Sequence, residues 1–492
     1  MFKVRDDRMK REVKDISIRK AAVINAASKY LTVILQLVYT AILSRILTPE
    51  DYGTVAVINV FIVFFQLIAD MGFGTAVIQD KGLTDQDIDS IYSFNVYLGI
   101  VLVLMFQLFS HAIAAVYNDE IYSRLGIILA AALGFYSWNA IPNAVMLKSK
   151  KFIAIAVRTI VVSAVSFTCT IIFALRGAGV YALALNTLFG AAGLFFWNEV
   201  SVRLKFLFRP SMIPIKKIIM YSFYQFAAQT LNYFNRNLDN LLIGKFMSKD
   251  KLGYYSKAYS MQQMPVSYLP GVITPILHPI LSEHQDDREY IFSNYLKLLK
   301  FLSLLGAFGS AYCWFAGKEI IRIAFGKQWD ESIKPFMILS LSLWPQILTN
   351  TIAPIYQSIG NTKLMFKNLI FTTAMIVSFI VGGIMSGDIG TVSICVSIAY
   401  GLNFFITFFV LTKFGFHTSY LKFLINFKED MLIYIVLLVF SILFPITFEN
   451  LIFGFAAKFV ILFLLFLVML IATKQTKWVT NIFGKGKRRN RG

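Results

Sequence analysis

The sequence predicts an all-α polytopic membrane protein of about fourteen transmembrane helices: two pseudo-two-fold related six-helix lobes followed by two C-terminal helices. Mean hydropathy of +0.66 with only 15% charged residues exceeds what a water-soluble domain sustains. Apolar runs of about 20 residues, long enough to cross a bilayer, recur along the chain. The third observation is an internal repeat. Asn25, Lys29, Thr32, Gln36 and Thr40 recur in type as Gln225, Gln229, Asn232, Arg236 and Asn240, in steps of three or four that put each set on one helical face. Each stripe has a matching exit, Leu43-Ser-Arg-Ile-Leu-Thr-Pro-Glu-Asp-Tyr-Gly53 and Ile243-Gly-Lys-Phe-Met-Ser-Lys-Asp-Lys-Leu-Gly253.

Taken in order, spans are expected near 22–43, 53–73, 89–110, 122–146, 152–175, 179–202, 219–243, 253–280, 292–316, 333–359, 365–386, 390–412, 431–448 and 454–473. Residues 1–21 form a basic cytoplasmic segment, 22–203 the N-lobe, 204–218 a basic cytoplasmic linker and 219–412 the C-lobe. A second linker (413–430), the last two spans (431–473) and a basic cytoplasmic tail (474–492) follow. Six spans separate the two stripes, so the halves are parallel repeats about an axis along the membrane normal, which would bring the stripes together on a wet central cavity. Pro142 and Pro354, near the ends of spans four and ten, are a second repeat landmark, and the loop from Gly317 to Ser332 absorbs the length difference. Prolines 265, 270, 275 and 279 fall in span eight, where each removes a backbone donor and favours a bend, read here as a moving element. The last two spans have no counterpart in the first half and are expected outside the duplicated core.

An even number of spans puts both termini on one side. The 47 lysines and arginines concentrate at the two ends and in the linkers, so the positive-inside rule makes both termini cytoplasmic. The net charge of +20 therefore orients the protein and attracts anionic membrane lipids; it does not call for nucleic acid. Met1 to Arg19 lacks the apolar run of a cleavable signal. Three cysteines, all inside spans, frame neither a disulfide network nor a metal site. No phosphate-binding glycine loop or zinc motif is present, so neither an enzyme nor a cofactor is expected. Transport would draw on an H+ or Na+ gradient, the membrane potential or the substrate gradient.

The candidate cavity residues are Lys29, Gln36, Arg158, Gln225, Gln229, Asn232, Arg236 and Asn240. Polar groups this numerous cannot face lipid cheaply, so they face protein or water. The competing structural readings are an internally satisfied Arg236–Asp239 pair, and headgroup-reaching side chains at Lys29 and Arg158. Lys257 is expected at the rim near headgroups. Asp70 and Asp239 are the candidate ion-coupling carboxylates. Cations outnumber acids within the spans, which favours an anionic substrate, and amides suit both phosphate and hydroxyls.

At these segments the chain resembles the polysaccharide transporter family, the Wzx-type and teichuronic-acid exporter branch of the multidrug/oligosaccharidyl-lipid/polysaccharide flippase superfamily. The resemblance is carried by Leu47-Thr-Pro-Glu-Asp-Tyr-Gly53, Ala69-Asp-Met-Gly-Phe-Gly-Thr-Ala-Val-Ile-Gln79, Arg236-Asn-Leu-Asp-Asn-Leu-Leu-Ile-Gly244, Leu252-Gly-Tyr-Tyr-Ser-Lys-Ala-Tyr259 and Phe325-Gly-Lys-Gln-Trp329. Where the family often has an aromatic residue within Pro-x-Phe-Ser, this chain has His278-Pro-Ile-Leu-Ser282. The resemblance implies alternating access and movement of a polyprenyl-pyrophosphate-linked oligosaccharide across a bacterial cytoplasmic membrane, with glycosyltransferases and a polymerase as partners. A multidrug exporter and a non-transporting scaffold for glycan synthesis are the alternatives; deleting Lys485 to Gly492 would disable a scaffold and spare a flippase.

Overall fold

The computed structural model of the chain describes residues 18–80, 82–282 and 287–476. Among these residues the only regular secondary structure is helical. Two compact units divide the chain after Gly253.

The first unit contains α1 (Ile18–Ile46), α2 (Pro49–Asp70), α3 (Phe73–Gln79), α4 (Asp85–Tyr117), α5 (Ile121–Lys148), α6 (Phe152–Leu175), α7 (Val180–Val202), α8 (Met212–Phe246) and the first residues of α9 (Lys249–Ser282). The start of α2 explains most of the motif Leu47 to Gly53. Thr48 caps the helix by accepting from the Asp51 N–H, Asp51 returns a bond to the Thr48 N–H at 2.9 Å, and Pro49 fills a position whose N–H has no helical acceptor. Gly53 has a different task. A Cβ there would run into the Lys249 backbone carbonyl, and one on Gly253 would run into the Pro49 carbonyl. The two repeat-related glycines thus let the starts of α2 and α9 cross with backbones in contact. Tyr39 stacks on Phe167 to anchor α1 on α6.

The second unit holds the rest of α9, then α10 (Arg288–Phe315), α11 (Gly317–Ala324), a 3-10 turn (Lys327–Ser332), α12 (Ile333–Ser340), α13 (Leu343–Thr349), α14 (Ile352–Ser358), α15 (Thr362–Ile384), α16 (Ile389–Val410), α17 (Tyr420–Ile425), α18 (Lys428–Leu443) and α19 (Leu451–Ala472). Its core packs Tyr295, Leu299, Trp344, Ile347, Phe404 and Phe408 together. The tenth expected span is broken here into short helices bent by 55°. Pro345 lacks the N–H that would bond the Leu341 carbonyl, the helix parts at Leu341–Ser342, and the Tyr434 hydroxyl donates to that carbonyl at 2.9 Å. α9, in contrast, runs as one helix across its four prolines.

Nine helices among the described residues are long and apolar enough to cross a membrane, or ten counting the bent pair. α8 and α9 are longer still, at 35 and 34 residues, and α8 carries the polar stripe Gln225 to Asn240 that marks the repeat. The trailing pair α18 and α19 is tied down at two places. Gln475 donates to the buried Asp430 carboxylate at 2.6 Å, and Lys458 of α19 pairs with Glu319 of α11 at 2.8 Å.

Candidate functional site

Inside the first unit, α2, α3 and α5 line a half-open cavity of about 250 Å³ whose walls include Asp70, Thr75, Tyr136, Asn139 and Asn143. Its α5 wall follows helical spacing, since Tyr136, Asn139, Asn143 and Leu147 recur every three or four residues. Behind that wall lies Arg158 of α6, only 5% exposed. Its guanidinium donates to Asn198 Oδ1 at 2.6 Å and to Asn143 Oδ1 at 3.1 Å; Asn198 Nδ2 in turn donates to Asn139 Oδ1 at 2.7 Å. No carboxylate among the described residues pairs with it; the positive charge is held by two amide oxygens and, at 4.0 Å, the Met146 sulfur. Asp70 stands half-buried on the opposite wall.

Charge fixes the direction of this network. A guanidinium has no acceptor, so Asn143 and Asn198 must turn their oxygens to it. Asn198 then has only its amide nitrogen for Asn139, which must answer with oxygen. The Nδ2 groups of Asn139 and Asn143, both cavity-lining residues, are left with no acceptor among the described residues.

The residues expected at the site from sequence divide into three sets. Arg158 and Asp70 come together around this cavity, and the burial of Arg158 removes the headgroup-reaching alternative. Gln36 and Arg236 are exposed on α1 and α8, whereas Asp239 and Asn240 are buried, with the Asn240 N–H donating to Asp239 Oδ1 at 2.8 Å. The side chains of Lys29, Gln225, Gln229 and Asn232 lie outside the described residues. Lys257 corrects an expectation: it is buried, not at the rim, because the loop after α11 folds over the start of α9 and lays Phe325 and Trp329 on its ammonium, 4.8 and 5.4 Å from the ring centroids. Ser332 adds a bond to the Tyr254 carbonyl at 2.8 Å. Sequence reasoning missed Tyr136, Asn139, Asn143 and Asn198. The pair Asn139 and Asn143, four apart in an apolar span, was the available signal.

A second polar cluster surrounds the glycine crossing. Lys249 pairs with Asp119, in the turn between α4 and α5, and lies 3.6 Å from Glu50 at the start of α2. Partial burial pushes the Asp119 carboxyl up, but the Lys249 bond, the Ile121 N–H and the lysine charge together bring it below the usual carboxylate range. Lys245 bonds the Val116 carbonyl, and the Tyr117 hydroxyl donates to the Leu241 carbonyl at 3.1 Å. The turn from α8 to α9 is thereby fastened onto α4 and α2.

Residues 42–334 match the family model described as "Polysaccharide biosynthesis protein". The chain is 24% identical over 403 residues to "Lipopolysaccharide biosynthesis protein WzxC" of Escherichia coli (80% of each chain), and 23% identical over 335 residues to "Teichuronic acid biosynthesis protein TuaB" of Bacillus subtilis (68% of this chain, 69% of the other). Among solved structures it superposes on "Lipid II flippase MurJ, inward closed conformation" with a TM-score of 0.72 at 18% identity, covering 92% of this chain and 99% of that one. That likeness establishes the fold.

Proposed function

Because the chain belongs to the polysaccharide biosynthesis protein family, we propose that it is a flippase for polyprenyl-pyrophosphate-linked oligosaccharide. It would sit in a bacterial cytoplasmic membrane with both termini cytoplasmic and supply precursor to an exopolysaccharide, capsule, O-antigen or teichuronic-acid-type polymer. The names of its relatives, a lipopolysaccharide and a teichuronic-acid biosynthesis protein, support the pathway class. The observation that carries the reading is a cavity whose lining includes two amides, a hydroxyl and one carboxylate, backed by a buried guanidinium, inside an otherwise apolar helical bundle. An unpaired polar group in hydrocarbon costs on the order of 2–7 kcal/mol. A glycan head bristling with hydroxyls needs such a lined route, while its lipid tail stays in the bilayer.

Transport proceeds on this reading by alternating access driven by an H+ or Na+ gradient. In the expected topology the glycine crossing of α2 and α9 and the Lys249 cluster lie toward the outer side. Lys29, Gln36, Arg236 and the amide stripe of α8 contact the diphosphate and sugars in the central cavity, and Asp239 is the candidate coupling carboxylate there. A polymerase and glycosyltransferases are the expected partners, with anionic lipids at the basic tails.

The test is to delete the gene and quantify both surface polysaccharide and lipid-linked oligosaccharide in the cytoplasmic leaflet. Loss of the polymer with accumulation of its precursor is expected. Unchanged pools, accompanied by new drug sensitivity, would replace the proposal with a multidrug exporter.

A further inference from the structure

We propose that the cavity between Asp70 and the Asn139/Asn143 wall is a subsite for a single pyranose unit of the transported glycan, with its hydrogen-bond polarity set by Arg158. This rests on the flippase reading and names where and how a sugar is recognised.

Size comes first. At about 250 Å³ the cavity lies just under the roughly 300–1,000 Å³ that small-molecule pockets span, which suits one ring. Its donor and acceptor pattern is mixed. Asp70 offers a carboxylate that only accepts, Asn139 and Asn143 offer two N–H groups that only donate, and the Thr75 hydroxyl does either. Sugar hydroxyls both donate and accept, so one ring can donate to Asp70 while its other oxygens accept from the two amides. Tyr136 adds an aromatic face for the apolar C–H side of a pyranose.

The same geometry argues against a coupling cation at Asp70. Hard cations are held by several oxygens, and the two nearest amide oxygens are turned away, one bonded to Arg158 and the other to Asn198. The inward-facing N–H groups would repel the ion. Arg158 touches no ligand here; it is a positioning residue, holding the amides so that their donors face the cavity. Asp70 and the end of α5 lie toward the cytoplasmic side in the expected topology, where a substrate assembled in the cytoplasm would be met first.

Asn143→Asp separates recognition from structure. The near-isosteric carboxylate still accepts from Arg158, more strongly because it is charged, but its cavity-facing donor is gone. Asp70→Asn removes the opposing acceptor. Each variant, expressed in the deletion strain, should cut precursor transfer about ten-fold, the equivalent of ~1.4 kcal/mol, with Asn143→Asp melting no lower than wild type. In parallel, saturation-transfer NMR on the purified full-length protein, using free glucose, galactose, N-acetylglucosamine and glucuronate as probes, should give contact with at least one sugar that is lost in both variants. If Asn143→Asp does not fold, Thr75→Val with Asp70→Asn decides the question by the same readouts.

Wild-type transfer by both variants, or sugar contact that survives both, would overturn the subsite. So would sodium binding to wild type that Asp70→Asn abolishes and Asn143→Asp strengthens, which would assign a cation site. Failure of the flippase reading looks different: the deletion strain then leaves both glycan pools unchanged, and the NMR contact still decides the subsite.

Discussion

Lys458 is the residue whose removal has the most closely defined consequence. Its ammonium lies 2.8 Å from one Glu319 carboxylate oxygen, 2.9 Å from the other and 2.9 Å from the Phe315 carbonyl, with the two side chains only 6% and 3% exposed. Nζ donates to Glu319 Oε2 and to the Phe315 carbonyl, and Phe315 also presents its ring 5.2 Å away. Lys458→Met fills similar volume but leaves a buried carboxylate without its cation, which costs about 3–5 kcal/mol. Adding Glu319→Gln removes the stranded charge, and the double variant should return to within about 1 kcal/mol of wild type. The assay is a denaturant titration of the detergent-purified full-length protein followed by circular dichroism, with the slope checked for constancy so that midpoints convert to free energy. A single variant within about 0.5 kcal/mol of wild type, or a double variant no better than the single, would refute the claim that this pair fastens α19 to α11.

Two further outcomes are expected. Gly253→Ala should destabilise the protein by about 1–3 kcal/mol, against the gain of up to about 1 kcal/mol that alanine gives at an ordinary helix site, because its Cβ meets the backbone of Pro49 rather than a movable side chain. Gly53→Ala should act alike, and the double variant should cost less than the sum since both open one contact; a stabilised Gly253→Ala would contradict the crossing. Asp119 gives a pH dependence. Its carboxyl is depressed in the folded protein, so its contribution is fully present above the ordinary carboxylate pKa of about 4 and is lost as pH falls through the folded value. Wild type should lose melting temperature more steeply than Asp119→Asn on acidification below about pH 4, and parallel curves would count against the Lys249–Asp119 pair.

The architecture was legible because hydropathy and repeat spacing report the same thing twice: apolar runs of bilayer length, and two stripes with like exits. The motif Leu47 to Gly53 could be matched from sequence, but its parts acquire reasons only in three dimensions, where Thr48 and Asp51 cap a helix and Gly53 meets a backbone far along the chain. The break in the tenth span was hidden because its local cause, Pro345, looks no different from the tolerated prolines of α9; the deciding group, the Tyr434 hydroxyl, comes from a later helix. Lys257 misled for a similar reason, since a lysine near a span end ordinarily reaches water, and the aromatic lid that covers it comes from a loop some seventy positions on. For Arg158 the sequence left a cavity role and a headgroup-reaching one both open, and its burial decides against the second. Its amide partners lie on α5 and α7, and no periodicity within one helix joins them. Lys458 should have been noticed, as a lone cation in the most apolar span of the chain.

The directional chain of Arg158, Asn198 and Asn139 makes one guanidinium the compass for three amides. An amide is nearly the same shape whichever end faces inward, so reversing all three requires almost no change in volume. A carboxylate in place of Arg158 would accept where the arginine donates, turn Asn143 and Asn198 end for end, and through Asn198 turn Asn139 as well. The cavity would then display oxygens beside Asp70 and suit a cation in place of a sugar. On the proposed subsite, a relative with a carboxylate at this position would exchange a sugar contact for a cation contact through a side chain outside the cavity lining, and a comparison restricted to cavity-lining positions would record no difference.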